Sequence, residues 1–156
     1  MVKAGDKIPN VDLDESSPGD KVNLSKELAT GKGLIIGVPA AFSPSCSASH
    51  VPGYTKSEKL KDAGKVYVVS VNDAFVMKAW GTTLDPTGKT GIRFLGDPAG
   101  AFTKELDLTL DAAAIFGNPR SKRYALVTEN GEVKSVNVEA EPSSVDVSSA
   151  EKVLGV

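Results

Sequence analysis

Apolar positions along the chain gather into short blocks separated by polar turns, and the blocks differ in period. Before residue 33 the pattern is weak. Val11 and Leu13, then Val22 and Leu24, alternate across a turn-rich stretch from Asp14 to Asp20, which predicts a short β-hairpin. Leu34-Ile35-Ile36-Gly37-Val38 is continuously apolar and ends at Pro39, as expected of a strand buried on both faces. Ser43-Pro44 reads as a helix cap followed by proline at the first helical position. Pro52 should kink that helix and Gly64 should stop it. Val66 to Val71 predicts a second buried strand, and Asn72 or Asp73 caps a helix with Val76, Met77 and Trp80 on one face. Ile92 to Leu95 predicts a short strand, and Asp97-Pro98 opens a helix carrying Phe102 and Leu106. Tyr124 to Val127 and Val133 to Val138 flank Asn130-Gly131, a strong hairpin-turn pair. Ser148 or Ser149 caps a last helix that stops at Gly155.

The order is strand-helix three times, then a hairpin, then a helix. It predicts an α/β fold with a central mixed sheet flanked by helices and a short N-terminal β extension. A thioredoxin-like layout fits, βαβ first and ββα last. At 156 residues with no repeat, the chain is expected to form one domain over 1–156.

Composition narrows the chemistry. The net charge of −2 argues against a nucleic-acid binder held by a bulk positive field. The longest apolar stretch, Gly33 to Phe42, is far shorter than the ~20 residues of a membrane span. One cysteine, Cys46, and one histidine, His50, exclude an internal disulfide and a Cys/His structural zinc site. No carboxylate pair has metal-ligand spacing and no phosphate-loop pattern occurs, so neither metal nor cofactor is expected. A lone thiol suits a reducing compartment, with the cytoplasm expected. The mitochondrial matrix is the alternative if a transit peptide has been removed.

Cys46 falls in the first turn of the helix predicted after Ser43. First-turn amides lack intrahelical partners and carry the positive end of the helix dipole, so they favour a thiolate. The turn also lies at the carboxyl end of a central strand, where open α/β sheets place their sites. A small buried apolar side chain is the other reading of such a cysteine.

The surrounding residues carry a resemblance. Pro39-Ala40-Ala41-Phe42-Ser43-Pro44-Ser45-Cys46 resembles the active-site loop of peroxiredoxins, Pro-x-x-x-Thr/Ser-x-x-Cys, and most of all the type II or peroxiredoxin-5-like subgroup. The likeness continues through Cys46 to Tyr54, Ser70 to Val76, Ala79-Trp80-Gly81, Leu95 to Pro98 and Lys122 to Val127, in the expected order. It implies a thiol peroxidase with Cys46 as nucleophile and hydroperoxides as substrates. Ser43 would hydrogen-bond the peroxide, Pro39 would shield the thiolate, and Arg123 would hold thiolate and transition state. The family usually has Thr where Ser43 stands. Taken without the likeness, Arg123 reads as a strand-end surface charge beside Arg120 and Lys122.

His50, four residues past Cys46, has two readings. One is a Cys-His ion pair; the other, favoured by the disturbing Pro52, is a packed histidine lining the pocket or bonded to backbone. Phe42 is a further pocket candidate. Trp80, Phe42, Phe75 and Phe116 read as core or interface aromatics, and the resemblance makes a homodimer an expectation. Many type II relatives carry a resolving cysteine near the C-terminus; the matching stretch, Pro142 to Ala150, has none, and Val147 stands at that place. A sulfenic acid on Cys46 would then need an external thiol, such as glutathione (with or without glutaredoxin) or thioredoxin. The alternative is a redox-responsive sensor or holdase with little turnover.

Overall fold

In the computed structural model, which describes residues 1–155, seven strands form one mixed sheet in the order β2-β1-β5-β4-β3-β8-β9. The N-terminal extension is the antiparallel pair β1 (Asp12–Glu15) and β2 (Ser17–Asn23), followed by a single turn of helix, α1 (Leu24–Glu27). The central strands β3 (Lys32–Val38), β4 (Lys65–Ser70) and β5 (Arg93–Gly96) run parallel. β8 (Tyr124–Glu129) pairs antiparallel with β3, and β9 (Glu132–Val138) returns beside β8. This is the thioredoxin-like arrangement that the element order predicts.

Both faces of the sheet are buried, as the unbroken apolar runs require. Ile35, Tyr67, Val69 and Leu126 face one core, with Leu24 and Leu28 of the α1 region and Phe102 of α4 (Ala101–Glu105). Leu34, Ile36, Val38, Val66 and Val68 face the other. That second core takes Val51 and Tyr54 of α2 (Val51–Thr55), Met77 and Trp80 of α3 (Ala74–Leu84) and Ala150 of α6 (Ala150–Leu154). The Asn130-Gly131 turn has φ of 50° and 82° at its two residues, the left-handed pair that joins two strands tightly.

Three elements depart from the sequence pattern. The helix expected from Pro44 to Gly64 is broken: Cys46–His50 is wound as a π-helix, α2 ends at Thr55, and Leu60–Ala63 is a separate 3-10 turn. Pro52 explains the winding. It has no N–H to give to Ala48 and its ring crowds that carbonyl, so the turn before it widens. Gly64, at φ 82°, ends the 3-10 turn rather than the helix. The helix after β5 starts at Ala101, not Pro98. Asp97 nevertheless caps it, its carboxylate accepting from the amides of Phe102 (3.1 Å) and Thr103 (2.9 Å) across a turn that contains Pro98. A small second sheet, β6 (Thr109–Leu110) with β7 (Arg120–Ser121), and the short helix α5 (Ala113–Phe116) are too brief for periodicity to reveal.

Candidate active site

Strand pairing brings the distant residues together. β3 and β8 are antiparallel with Gly37 opposite Tyr124, so the beginning of β8 lies beside the end of β3. A Cβ at Gly37 would collide with the Tyr124 ring, so glycine is what lets the two strands carry that ring between them. Pro39, buried, follows the end of β3, and Arg123 immediately precedes β8. The loop after Pro39 is tied to the end of β4 by the Ala41 amide, which donates to Asn72 Oδ1 at 3.0 Å. It turns back through Phe42 at φ 64° and enters the helix at Ser43-Pro44.

Cys46 Sγ lies 2.8 Å from Ser43 Oγ and 3.3 Å from Arg123 Nη2. Ser43 Oγ is also 2.9 Å from the Ala40 carbonyl. A hydroxyl has one proton, so the two contacts cannot both be donated at once. With a thiol present, S–H can donate to Ser43 Oγ while Ser43 donates to Ala40. With a thiolate present, the hydroxyl turns its proton to sulfur.

Arg123 is only 2% exposed. Its Nη1 donates to His50 Nδ1 (3.0 Å) and its Nε to the Pro142 carbonyl (3.0 Å). Among the described residues no carboxylate forms an ion pair with it. A buried cation without a counter-charge is costly. Here the group its remaining nitrogen meets is a sulfur that can ionise.

His50 is fixed by the same logic. Guanidinium only donates, so Nδ1 must be the bare, accepting nitrogen. The proton sits on Nε2, which is 3.1 Å from the Ser148 carbonyl, an acceptor. Burial and the neighbouring Arg123 charge push the ring's pKa from 6.5 down to about 3, so it is neutral. The packed, backbone-bonded histidine is the geometry observed, and His50 makes no hydrogen bond to sulfur among the described residues. Tyr54, raised well above the usual phenol value chiefly by burial, keeps its proton and donates it to the same carbonyl at 2.5 Å.

Cys46, Ser43, Arg123 and His50 therefore meet, with Pro39 at the base of their loop. Phe42, the further pocket candidate, is 52% exposed, its ring 6.4 Å from that of buried Trp80. Phe75 is also exposed and Phe116 half-buried, so of Trp80, Phe42, Phe75 and Phe116 Trp80 alone is fully buried. Trp80 Nε1 donates to Ser47 Oγ (3.0 Å), pinning the π-helical turn. Sequence reasoning offered Asn72 only as a helix cap, a part that Asp73 takes, and missed the carbonyls of Pro142 and Ser148; a backbone carbonyl has no residue-type signature to read. Among the described residues no cluster of His, Cys, Asp and Glu could hold a metal ion.

The family model described as Redoxin matches residues 3–154. The chain belongs to the redoxin family. Among its relatives, the peroxisomal membrane associated protein 20 of Schizosaccharomyces pombe is 46% identical, the match covering 99% of this chain and 98% of that one. Peroxiredoxin-2C of Arabidopsis thaliana is 40% identical, over 98% and 96%. The crystal structure of reduced Prx3 from Vibrio vulnificus in complex with hydrogen peroxide superposes with a TM-score of 0.90 at 40% identity, over 99% and 95%. This redoxin is a peroxiredoxin, a thiol-dependent peroxidase, and its single cysteine fits a one-cysteine mechanism.

Proposed function

We propose that Cys46 is the peroxidatic nucleophile, that Ser43 and Arg123 bind and activate the peroxide, and that Pro39 keeps bulk water from the sulfur. The observation that carries this reading is the buried Arg123, which has no carboxylate partner among the described residues and aims Nη2 at Sγ. A thiolate there completes the charge pair and is held by a hydroxyl and a guanidinium nitrogen together. Attack proceeds with the sulfur lone pair forming an S–O bond as the O–O bond breaks. The distal oxygen leaves as hydroxide or alkoxide and takes a proton, giving water or an alcohol and a Cys46 sulfenic acid. The same two donors, Ser43 and Arg123, face the charge that develops on oxygen. Hydrogen peroxide and alkyl hydroperoxides are the proposed substrates. Cys46 is buried, so the reaction takes place at a sulfur shielded from bulk water.

Recycling is proposed to use an external thiol. One thiol condenses with the sulfenic acid, releasing water and leaving a mixed disulfide; a second frees Cys46 and departs as a disulfide. Glutathione, alone or with glutaredoxin, is the first candidate and thioredoxin the second. The support is Val147, which stands 40% exposed where a resolving cysteine would be needed. We assign the working chain to a single domain over 1–156 and to a reducing compartment, the cytoplasm first. No described helix is long and apolar enough to cross a membrane.

A homodimer is proposed through the end of the molecule that carries Cys46. Phe42, Phe75 and Ile115 are exposed there. Their segments are joined by the Ala41–Asn72 bond and by Arg120 Nη1, which donates to the Val71 carbonyl at 2.7 Å. Phe75→Asp should give monomers by sedimentation; an unchanged mass rules this surface out.

Stopped-flow mixing with stoichiometric peroxide tests the central reading. Cys46 should oxidise orders of magnitude faster than a free thiol. A free-thiol rate would remove it. Intact-protein mass spectrometry with and without glutathione then reports sulfenic acid and mixed disulfide.

A further inference from the structure

The loop between β9 and α6 supplies three backbone carbonyls to the site. Pro142 accepts from Arg123 Nε at 3.0 Å, Ser143 from Ser45 Oγ at 3.2 Å, and Ser148 from His50 Nε2 and Tyr54. Carbonyls on a loop hold their places only if the loop is itself held. Glu139 holds this one. Its amide donates to the Arg123 carbonyl at 2.9 Å just past the end of β9, so its backbone is locked to the strand that presents Arg123. Its Oε2 accepts from the Asp146 amide (2.7 Å), the Ser148 amide (2.8 Å) and the Ser148 hydroxyl (2.7 Å). The residue is 7% exposed. Burial would raise this carboxyl, but the bonds from Ser148 and Asp146 outweigh it and hold the group below the ordinary carboxylate range, ionised.

We infer that Glu139 is a positioning residue for peroxide reduction: it clasps the loop 139–148 so that the Ser148 carbonyl fixes the His50 tautomer, and His50 in turn aims Arg123 at the sulfur. Each link follows from the chemistry of its atoms. With the Ser148 carbonyl in place, the imidazole proton belongs on Nε2. Nδ1 is then bare and accepts from Nη1, and in the orientation that makes this bond Nη2 lies on Cys46. Without the carbonyl the proton can move to Nδ1, where it opposes an arginine N–H and drives the guanidinium away. The inference rests on the assignment of Arg123 to the sulfur, since without it the clasp would aim at nothing.

The sign of one effect separates positioning from simple charge. Removing a nearby carboxylate lowers the pH at which a thiol ionises, because a negative neighbour opposes the thiolate. Loss of aim by Arg123 raises it. Glu139→Gln therefore distinguishes the two.

The protein has one histidine, so its ring nitrogen signals are unambiguous. Nitrogen NMR of the labelled wild type should show the Nε2–H tautomer. In Glu139→Gln the ring should become a mixture of tautomers, the thiolate absorbance should titrate at higher pH, and oxidation of Cys46 by peroxide should slow roughly tenfold. Ser148→Ala keeps the carbonyl but removes one of the clasp's three donors, and should show the same changes at smaller size, which keeps the test open if Glu139→Gln folds poorly. An Nδ1–H ring in the wild type overturns the inference. So does a Glu139→Gln protein with an unaltered tautomer, or one whose thiolate titrates at lower pH. Slow oxidation of the wild type itself would instead count against the proposed function, and the ring tautomer is read without reference to it.

Discussion

Two helices begin at the carboxyl ends of neighbouring parallel strands, and they begin differently. α3 follows β4 through Asp73, in extended backbone, whose carboxylate accepts from the Val76 amide at 2.9 Å. Eleven regular residues follow, with Ala74, Met77, Trp80 and Gly81 facing the core. The helix after β3 has Ser43 in the equivalent place. Its backbone plays the part, with the Ser47 amide donating to the Ser43 carbonyl at 2.9 Å. Its side chain does not: the hydroxyl goes to Cys46 Sγ and the Ala40 carbonyl, and the turn is π-wound. Asp73 satisfies its own helix; Ser43 leaves that stabilisation, of order 1 kcal/mol, unmade and faces the sulfur. Buried Val51 and Tyr54 hold the irregular turn down instead. Departures from local rules concentrate where chemistry is done.

The comparison breaks most severely at Arg123. Arg123→Ala leaves His50 Nδ1 and the Pro142 carbonyl without their donor and the sulfur without its cation. Peroxide oxidation of Cys46 should fall about 100-fold or more, the loss typical of one oxyanion donor, and the thiolate should titrate at higher pH. Intact kinetics with an unmoved titration would make Arg123 a structural residue only.

His50 comes next. Its folded pKa of about 3 lies below the 6.5 of an unfolded histidine. The unfolded chain therefore binds the extra proton, so stability is full above pH 6.5 and declines as pH falls toward 3. Between pH 6.5 and about pH 5 this one ring should cost about 2 kcal/mol. Urea unfolding across that range measures it. A flat profile, or the same slope in His50→Gln, would mean that the ring is protonated in the fold.

How much of this the sequence exposes differs between the two helices. Asp73, Met77 and Trp80 obey spacing rules, so α3 is legible from pattern, as are β3, β4 and the Asn130-Gly131 hairpin. Ser43-Pro44 is legible as a helix start, but the diverted hydroxyl is not, because nothing in a serine says which way its proton points. The π turn was signalled only as a disturbance at Pro52. Arg123 reads from sequence alone as surface charge; its burial follows from the antiparallel pairing of β8 with β3, a tertiary fact. Glu139 and the carbonyls it steadies left no signal, since their contribution is made through backbone geometry.

Ser43→Ala sharpens the contrast from the catalytic side. It removes a donor to sulfur while the backbone contact to Ser47 remains. Oxidation should slow roughly tenfold, the worth of one hydrogen bond to a charged group. Thermal stability should barely move, because no amide of this helix loses a cap. A drop in stability as large as that of an ordinary cap would show the hydroxyl capping in solution after all.

Asp73→Ala is the mirror experiment and the smallest effect. The Val76 amide loses its acceptor, at a cost of about 1 kcal/mol in unfolding free energy. Peroxide kinetics should be unchanged, since Asp73 touches neither Cys46 nor Arg123 nor the Ala41–Asn72 bond that ties the active-site loop to this corner. Together the two alanines test whether a helix start can be divided into stability and chemistry: one variant should lose the first alone, the other the second alone. If Asp73→Ala slows oxidation as much as Ser43→Ala does, the two helix starts act as one unit and the division between them fails.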